Sequence, residues 1–123
     1  IKQIHAGSQV NYDGIYTAKQ DETIGILTAG YYEGISRDLS NRASFLLFNT
    51  ECPIVGNISM NMTTIKIPRT INANIGDKVT VISPNPNSPC SIYKLSNILN
   101  TIPYTILTGL HSSIRRSIIW NIK

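Results

Sequence analysis

Short apolar runs with a two-residue period fill most of this chain. Val79 and Val81 are separated by one polar residue, and so are Ile65 and Ile67, as expected for strands with one buried face. The runs are rich in Ile, Val, Thr and aromatic residues, which favour an extended backbone. The pattern predicts eight strands, namely Gln9–Ala18, Glu22–Ala29, Ala43–Phe48, Ile54–Ser59, Thr63–Ile67, Lys78–Ser83, Thr105–Leu110 and Arg116–Trp120.

One segment has a helical period instead. Between Ser91 and Asn100 the apolar residues recur at helical spacing, at Ile92, Leu95, Ile98 and Leu99. Ser91 can accept a hydrogen bond as the N-cap, and Asn100 can end the helix. We therefore expect one short helix that covers a sheet.

Turn-forming residues separate these runs, at Gly7, Gly14, Gly34, Asn49 and Gly76. The segment Ser83–Pro89 consists only of Pro, Asn and Ser, which indicates a surface loop rather than a domain boundary. Evenly spaced short strands with turn signals predict a mainly β fold. We expect a small closed or partly open β-barrel of about eight strands with one short helix, forming a single domain over residues 1–123.

Composition limits the classes of function. Hydrophobic residues make up 41% of the chain and charged residues 15%, which is typical of a folded domain. The net charge is +4, but the basic residues are scattered, with Arg115–Arg116 as the adjacent pair, so a nucleic-acid surface is not expected. There is no apolar run long enough for a membrane span and no signal-peptide pattern, so we expect a cytoplasmic protein that binds neither nucleic acid nor membrane.

The cysteines and histidines indicate no metal site. Cys52 and Cys90 lack metal-binding or redox spacing, and His5 and His111 have no second ligand near them in sequence. The chain begins with Ile and has no linker, which is typical of a domain cut from a longer protein. Residue types alone show no carboxylate pair, no activated nucleophile and no phosphate-binding glycine loop.

Ordered motifs say more than composition. Val10–Ala18 is similar to V-S-Y-G-x-T-Y-x-A, and Pro53–Thr63 is similar to P-I-V-G-R-V-S-M-D-M-T. Further matching segments follow the same order, at Ile24–Gly34, Leu39–Asn41, Gly76–Val79, Thr101–Tyr104 and Ser113–Arg116. Together they resemble the C-terminal β-domain of alanine racemases that use pyridoxal 5'-phosphate (PLP), over nearly the whole chain.

The resemblance implies an enzyme with two domains. A (β/α)8 barrel, absent from this chain, would hold PLP on a lysine, and two chains would pair head to tail as a homodimer. Each β-domain would then close the active site of the partner chain. The whole enzyme would interconvert L- and D-alanine for peptidoglycan synthesis, and the isolated domain would be inactive.

The resemblance also assigns roles to individual residues. Racemisation requires a base on each face of the α-carbon, and Tyr12 matches the tyrosine that acts opposite the PLP lysine. A phenol with an ordinary pKa near 10 needs nearby donors or cations to act as a base, and these would come from the partner's barrel. The alternative is that Tyr12 is a cross-strand packing residue.

The remaining matched positions concern substrate and cofactor. Tyr31 and Arg37 match residues of the corridor through which substrate enters, and Ile102 matches an aliphatic residue that lines it. Met60 matches the residue whose backbone N–H binds the substrate carboxylate, and Tyr104 matches a tyrosine that hydrogen-bonds the PLP phosphate. The alternatives are a turn aromatic for Tyr31, a solvated charge for Arg37, and core packing for the other three.

Several positions depart from the family pattern. Asn57 replaces a corridor arginine, Asn61 an aspartate, Ser113 an arginine, and Asn11 the serine before Tyr12. Two positive charges and one negative charge are thereby missing, so the electrostatic guidance of a charged substrate would differ.

Two other functions stay open. The chain could belong to a related racemase or decarboxylase with the same two-domain plan that acts on a larger or basic amino acid. It could also be a non-catalytic β-barrel interaction module. The racemase interpretation further predicts an exposed apolar face around Tyr12, Tyr31 and Met60, since the family buries that surface against another subunit.

Overall fold

The computed structural model describes residues 1–10 and 14–119. Most of its regular structure is β, as predicted, and its helices are short. The strands are β1 (Lys2–Ile4), β2 (Gln9–Val10), β3 (Tyr16–Thr17), β4 (Glu22–Leu27), β5 (Ser44–Leu47), β6 (Thr50–Pro53), β7 (Thr63–Ile67) and β8 (Val79–Thr80). The helices are a 3-10 turn (Arg37–Leu39), α1 (Ile92–Leu99) and α2 (Pro103–Thr108).

All the strand pairs are antiparallel. One sheet has the order β1-β4-β7, a second has β6-β5-β8, and β2 pairs with β3 as a hairpin. Ile54, the residue that follows β6, forms an isolated bridge with Ile65 of β7. The pairings among the described residues do not close a barrel, so the barrel remains a prediction.

The main core lies between the strands and α1. Phe45 and Leu47 alternate inward on β5, and Ile65 and Ile67 do the same on β7. Leu95 of α1 packs against this cluster and is 1% exposed. Burying a side chain of this size contributes about 1.5–3 kcal/mol, so these contacts hold α1 on the sheet.

A second, smaller core cluster supports the β2–β3 hairpin. It consists of buried apolar residues from five places along the chain, Ile4, Val10, Ala18, Ile24 and Val55. Tyr16 packs against the cluster from β3. The hairpin is therefore attached to the β1-β4-β7 sheet by apolar contacts.

The helix predicted between Ser91 and Asn100 is confirmed. The Ser91 side chain accepts the Lys94 N–H at 3.1 Å, and Asn100 ends α1 with a φ of 52°. The loop predicted at Ser83–Pro89 is also confirmed, because residues 84–90 form bends and turns.

The prediction of a single helix was wrong. The strand predicted at Thr105–Leu110 lies mostly in α2, because Pro103 occupies the first helical turn and fixes a helical φ there. Thr105 and Ile106 favour strands by type, but this local preference is weak and was overridden.

Two more strand predictions were wrong in position. The strand expected at Ile54–Ser59 is replaced by β6, because Phe48 and Asn49 both have positive φ and form a two-residue hairpin turn from β5. Gly56, with a φ of 79°, interrupts extended backbone after β6. No strand forms over residues 116–119 of the described chain, and Trp120 lies outside the described residues.

The strand predicted at Gln9–Ala18 is divided into β2 and β3. Gln9 pairs with Thr17, and Val10 pairs with Tyr16. β1 was not predicted, because Lys2–Ile4 is too short to show a period.

Candidate active site

The turn Gly30–Gly34 is the centre of the candidate site, and one side of it is bonded to the segment that contains Met60. The Tyr31 N–H donates to the Ser59 carbonyl at 3.0 Å, and the Tyr32 N–H donates to the Met60 carbonyl at 2.9 Å. A side chain at Gly30 would place its Cβ 2.0 Å from the Ser59 oxygen. Glycine is therefore required where the two backbones meet.

The other side of this turn contacts the end of α2. Gly34 has a φ of +112°, and a Cβ there would lie 2.7 Å from the Gly109 oxygen. The His111 N–H donates to the Glu33 carbonyl at 3.2 Å, and the His111 ring lies 4.3 Å from the Tyr32 ring. The turn is thus held between the Met60 segment and the residues that follow α2.

Met60 presents a free backbone donor. Its carbonyl is bonded to Tyr32, while its N–H donates to no acceptor among the described residues. The Met60 residue is 49% exposed, so core packing is the wrong interpretation within this chain. A backbone N–H without an acceptor in the described chain can bind a carboxylate.

α2 places two further predicted residues on the surface. Ile102 immediately precedes the helix and is 60% exposed, and Tyr104 is 74% exposed. The Tyr104 hydroxyl makes no hydrogen bond to another described residue. Core packing is therefore also wrong for these two positions, and Tyr104 presents a hydroxyl that can bind an external acceptor.

Tyr31 and Arg37 lie close together in the chain, and of these two Tyr31 lines an apolar groove. Tyr31 is 47% exposed and lines a groove of about 390 Å³ with Leu39, Leu95 and Ile106. Arg37 is exposed and begins the 3-10 turn that follows Ile35 and Ser36. The exposure of Tyr31 and Met60 agrees with the expected apolar face.

Tyr12, the predicted base, lies outside the described residues. The β2–β3 hairpin that brackets it is described, and its Tyr16 has a separate role. The Tyr16 hydroxyl donates to Glu22 Oε2 at 2.7 Å, and Lys66 Nζ lies 3.2 Å from Glu22 Oε1. Burial, with the hydrogen bond and charge of Glu22, raises the pKa of Tyr16 to about 12, so Tyr16 is kept neutral and is unsuited to act as a base.

The family is decided by sequence comparison. The family model for the C-terminal domain of alanine racemase matches residues 1–118. The chain belongs to this family.

Individual alanine racemases show the same relationship. Those of Borreliella burgdorferi and Streptococcus pyogenes are 34% and 36% identical over 89% and 94% of this chain. The structure of alanine racemase from Bartonella henselae with covalently bound pyridoxal phosphate is 31% identical over 96% of this chain, with a TM-score of 0.88. These matches cover 28%, 31% and 32% of the relatives, so the chain spans less than two thirds of their length.

The structure locates the departures of this alanine racemase domain from the family motifs. Asn61 is exposed next to Met60, and Asn57 is half-buried. The Ser113 hydroxyl lies 2.6 Å from Nδ1 of His111, and the Ser113 N–H donates to the same nitrogen at 3.0 Å. The serine thus orients His111 where the motif has an arginine.

Sequence reasoning missed two residues of this racemase domain that contact the site segments. His111 was interpreted as isolated, yet it stacks on Tyr32 of the central turn. Asn41 was noted only as part of a motif, yet its side chain bonds two separated segments. No sequence signal identifies the partners of His111, and the signal available for Asn41 is its place in the motif Leu39–Asn41.

Among residues 1–10 and 14–119, there is no group of three or more His, Cys, Asp or Glu side chains suited to hold a metal ion. Over the same residues, no helix is sufficiently long and apolar to cross a membrane.

Proposed function

We propose that residues 1–123 form the C-terminal domain of an alanine racemase and supply Tyr12 as the base on one face of the substrate α-carbon. The observation that carries the proposal is the pair of bonded segments, Tyr31 to Ser59 and Tyr32 to Met60, in which Tyr31 and Met60 are both about half-exposed. This arrangement suits a carboxylate-bearing substrate that reaches Met60 past Tyr31.

The described residues fit PLP as far as this chain would touch it. Tyr104 offers an exposed hydroxyl without a partner among the described residues, and such a hydroxyl can donate to a phosphate oxygen. When bound, PLP would stabilise negative charge at the α-carbon and so make its proton removable. No lysine of this chain is proposed to hold it, and that lysine would belong to a barrel domain beyond these residues.

In this proposal each residue has one task. The Met60 N–H orients the carboxylate, and Ile102, Tyr31 and Arg37 line the approach. Tyr12 takes the proton from one enantiomer or returns it to form that enantiomer, while the second base belongs to the barrel. Because both bases must flank one carbon, the domain acts only when it closes the site of a partner chain, and we propose a homodimer in which its strands form a partly open β-barrel.

A racemisation assay tests this function. The full-length protein that contains this domain is supplied with PLP, and the loss of optical rotation of L-alanine is followed for native protein and for Tyr12→Phe. We expect the phenylalanine variant to lose at least about a hundredfold in kcat, as is common when an acid–base group is removed. Tyr93→Phe is the matched control, since Tyr93 is an exposed residue of α1, and it should retain native kcat.

The outcomes separate the candidate functions. Native protein that binds PLP but leaves alanine unchanged would overturn the alanine assignment. Turnover of a larger or basic amino acid instead would establish the related racemase or decarboxylase. That second candidate is favoured by one observation, the absence of the motif arginines at Asn57 and Ser113. No turnover and no PLP binding would leave the non-catalytic interaction module.

A further inference from the structure

The side chain of Asn41 joins the two segments to which the proposed function assigns the base and the carboxylate donor. Its Nδ2–H donates to the Ile15 carbonyl at 2.9 Å, and its Oδ1 accepts the Gly56 N–H at 2.7 Å. Ile15 lies in the loop of the β2–β3 hairpin, after Tyr12 and before Tyr16. Gly56 begins the segment that leads to Met60.

The backbone conformation of Asn41 allows its side chain to make both bonds. Asn41 has a φ of +57°, a left-handed conformation that asparagine tolerates better than most residues. The neighbouring Ser40 hydroxyl accepts the Ile58 N–H at 2.8 Å. Two consecutive side chains therefore hold the segment before Met60, and the second of them also reaches the hairpin.

The hairpin needs such a tether on its loop side. Among the described residues, β2 and β3 share two residue pairs, Gln9 with Thr17 and Val10 with Tyr16. The bond from Tyr16 to Glu22 holds the strand side of the hairpin. The bond from Asn41 to Ile15 attaches the residues just before β3, which follow Tyr12 in the sequence.

We propose that Asn41 is a positioning residue that holds Ile15, three residues after Tyr12 in the chain, against the segment that leads to Met60. The inference rests on the proposed function. A base must be held within a few tenths of an ångström of its working position, and a misplacement of about 1 Å can cost about a hundredfold in rate. An amide is suited to the task because one group donates to Ile15 while the other accepts from Gly56.

Two variants of the full-length, PLP-loaded protein distinguish the effect of the two side-chain bonds from the effect of the backbone conformation at residue 41. Asn41→Asp keeps the shape and the acceptor for Gly56 but replaces the donor to Ile15 with an oxygen. Asn41→Gly tolerates the positive φ but removes both bonds. We expect kcat for alanine to fall about 10- to 100-fold in both variants, with Asn72→Asp, a surface change of equal charge, at the native value.

The decisive readout is the α-deuterium isotope effect measured separately with L- and D-alanine. Tyr12 exchanges its proton with one enantiomer only, so a displaced Tyr12 should raise the isotope effect for that enantiomer more than for the other. Ser40→Ala, which loosens only the Met60 side, should raise KM and leave the ratio of isotope effects native. Isotope effects that rise equally for both enantiomers in Asn41→Asp would indicate general loosening and overturn the proposal.

Amide hydrogen exchange tests the bridge independently of activity. In Asn41→Asp, exchange should accelerate at residues 14–17, while the Gly56 N–H stays protected. Native exchange at residues 14–17, native kcat, or unfolding of both Asn41 variants would each overturn the positioning role. If native protein does not racemise alanine, the proposed function fails, whereas the exchange result still decides whether Asn41 tethers the hairpin.

Discussion

At the scale of single residues, Tyr12 and Tyr16 have different expected roles, and the surroundings of Tyr16 explain its own. Tyr16 donates to Glu22, whose side chain is 3% exposed and also lies 3.2 Å from Lys66 Nζ. A buried carboxylate that accepts from a phenol favours the neutral form of that phenol. Tyr12 matches the motif position of a base, and its partners would come from another chain.

We predict that Tyr16 makes stability fall at high pH. The pKa of Tyr16 is raised to about 12 in the folded chain, against about 10 in an unfolded one. Between these values the unfolded chain releases the proton and the folded chain keeps it, so the contribution of Tyr16 is present below pH 10 and is lost as pH rises towards 12. Urea unfolding from pH 9 to 12 measures this.

Spectrophotometric titration provides the control for Tyr16. The native domain should show a late tyrosinate step near pH 12 that Tyr16→Phe lacks and Tyr93→Phe retains. An unchanged late step in Tyr16→Phe would show that another group is responsible.

At the scale of elements, the two helices differ in how they are stabilised. α1 has a side-chain N-cap, a left-handed C-cap and the buried Leu95. α2 has no side-chain cap hydrogen bond and no buried residue. Its stabilising contacts are Pro103 at its start, Ile106 packed against the main core, and the close approach of Gly109 to Gly34 at its end.

We predict that Ser91→Ala destabilises the domain by about 1–2 kcal/mol, because the Lys94 N–H loses its acceptor. The residue is 1% exposed, which places the cost at the upper part of the usual range. Chemical denaturation of the domain measures the free energy of unfolding. Ser117→Ala, at an exposed position outside any helix, is the control and should be neutral, and an equal loss in both variants would exclude a capping effect.

At the scale of the whole molecule, seven of the fourteen large apolar residues that are at least 47% exposed in the described chain lie in the segments assigned to the site. These seven are Tyr31, Tyr32, Met60, Met62, Ile102, Tyr104 and Leu107. Apolar surface of this kind is typical of an interface, which agrees with a domain that closes a site on another chain.

We predict that residues 1–123, expressed alone, bind the dye ANS and self-associate at high concentration. The double change Met62→Gln with Leu107→Gln should reduce both effects while leaving the far-ultraviolet circular dichroism unchanged. Ile75→Gln is the control, since Ile75 is 92% exposed and lies on a different segment. If the Ile75 variant reduces dye binding as much as the double variant does, the binding surface is elsewhere.

Particular residues explain why one helix could be predicted from the sequence and two strands could not. The helix between Ser91 and Asn100 was predictable because period and caps are local properties of the chain. The prediction of a strand at Thr105–Leu110 failed because the β preference of Thr105 and Ile106 is weak. Pro103, which favours the start of a helix, and tertiary packing outweigh it. The position of β6 depended on a turn at Phe48–Asn49, and a positive φ at phenylalanine has no sequence signal.

The sequence by itself determined the family, because the family is recognised from the order of residues over positions 1–118. This order does not depend on how the chain folds. The sequence also determined which residues are candidates for the site. Only the tertiary structure decided that Tyr31 and Tyr32 are bonded to Ser59 and Met60. It also decided that Tyr16 is held neutral by Glu22 and that Asn41 joins Ile15 to Gly56. These are contacts between residues distant in sequence, and they exist only after turns and strand pairing have brought separate segments together.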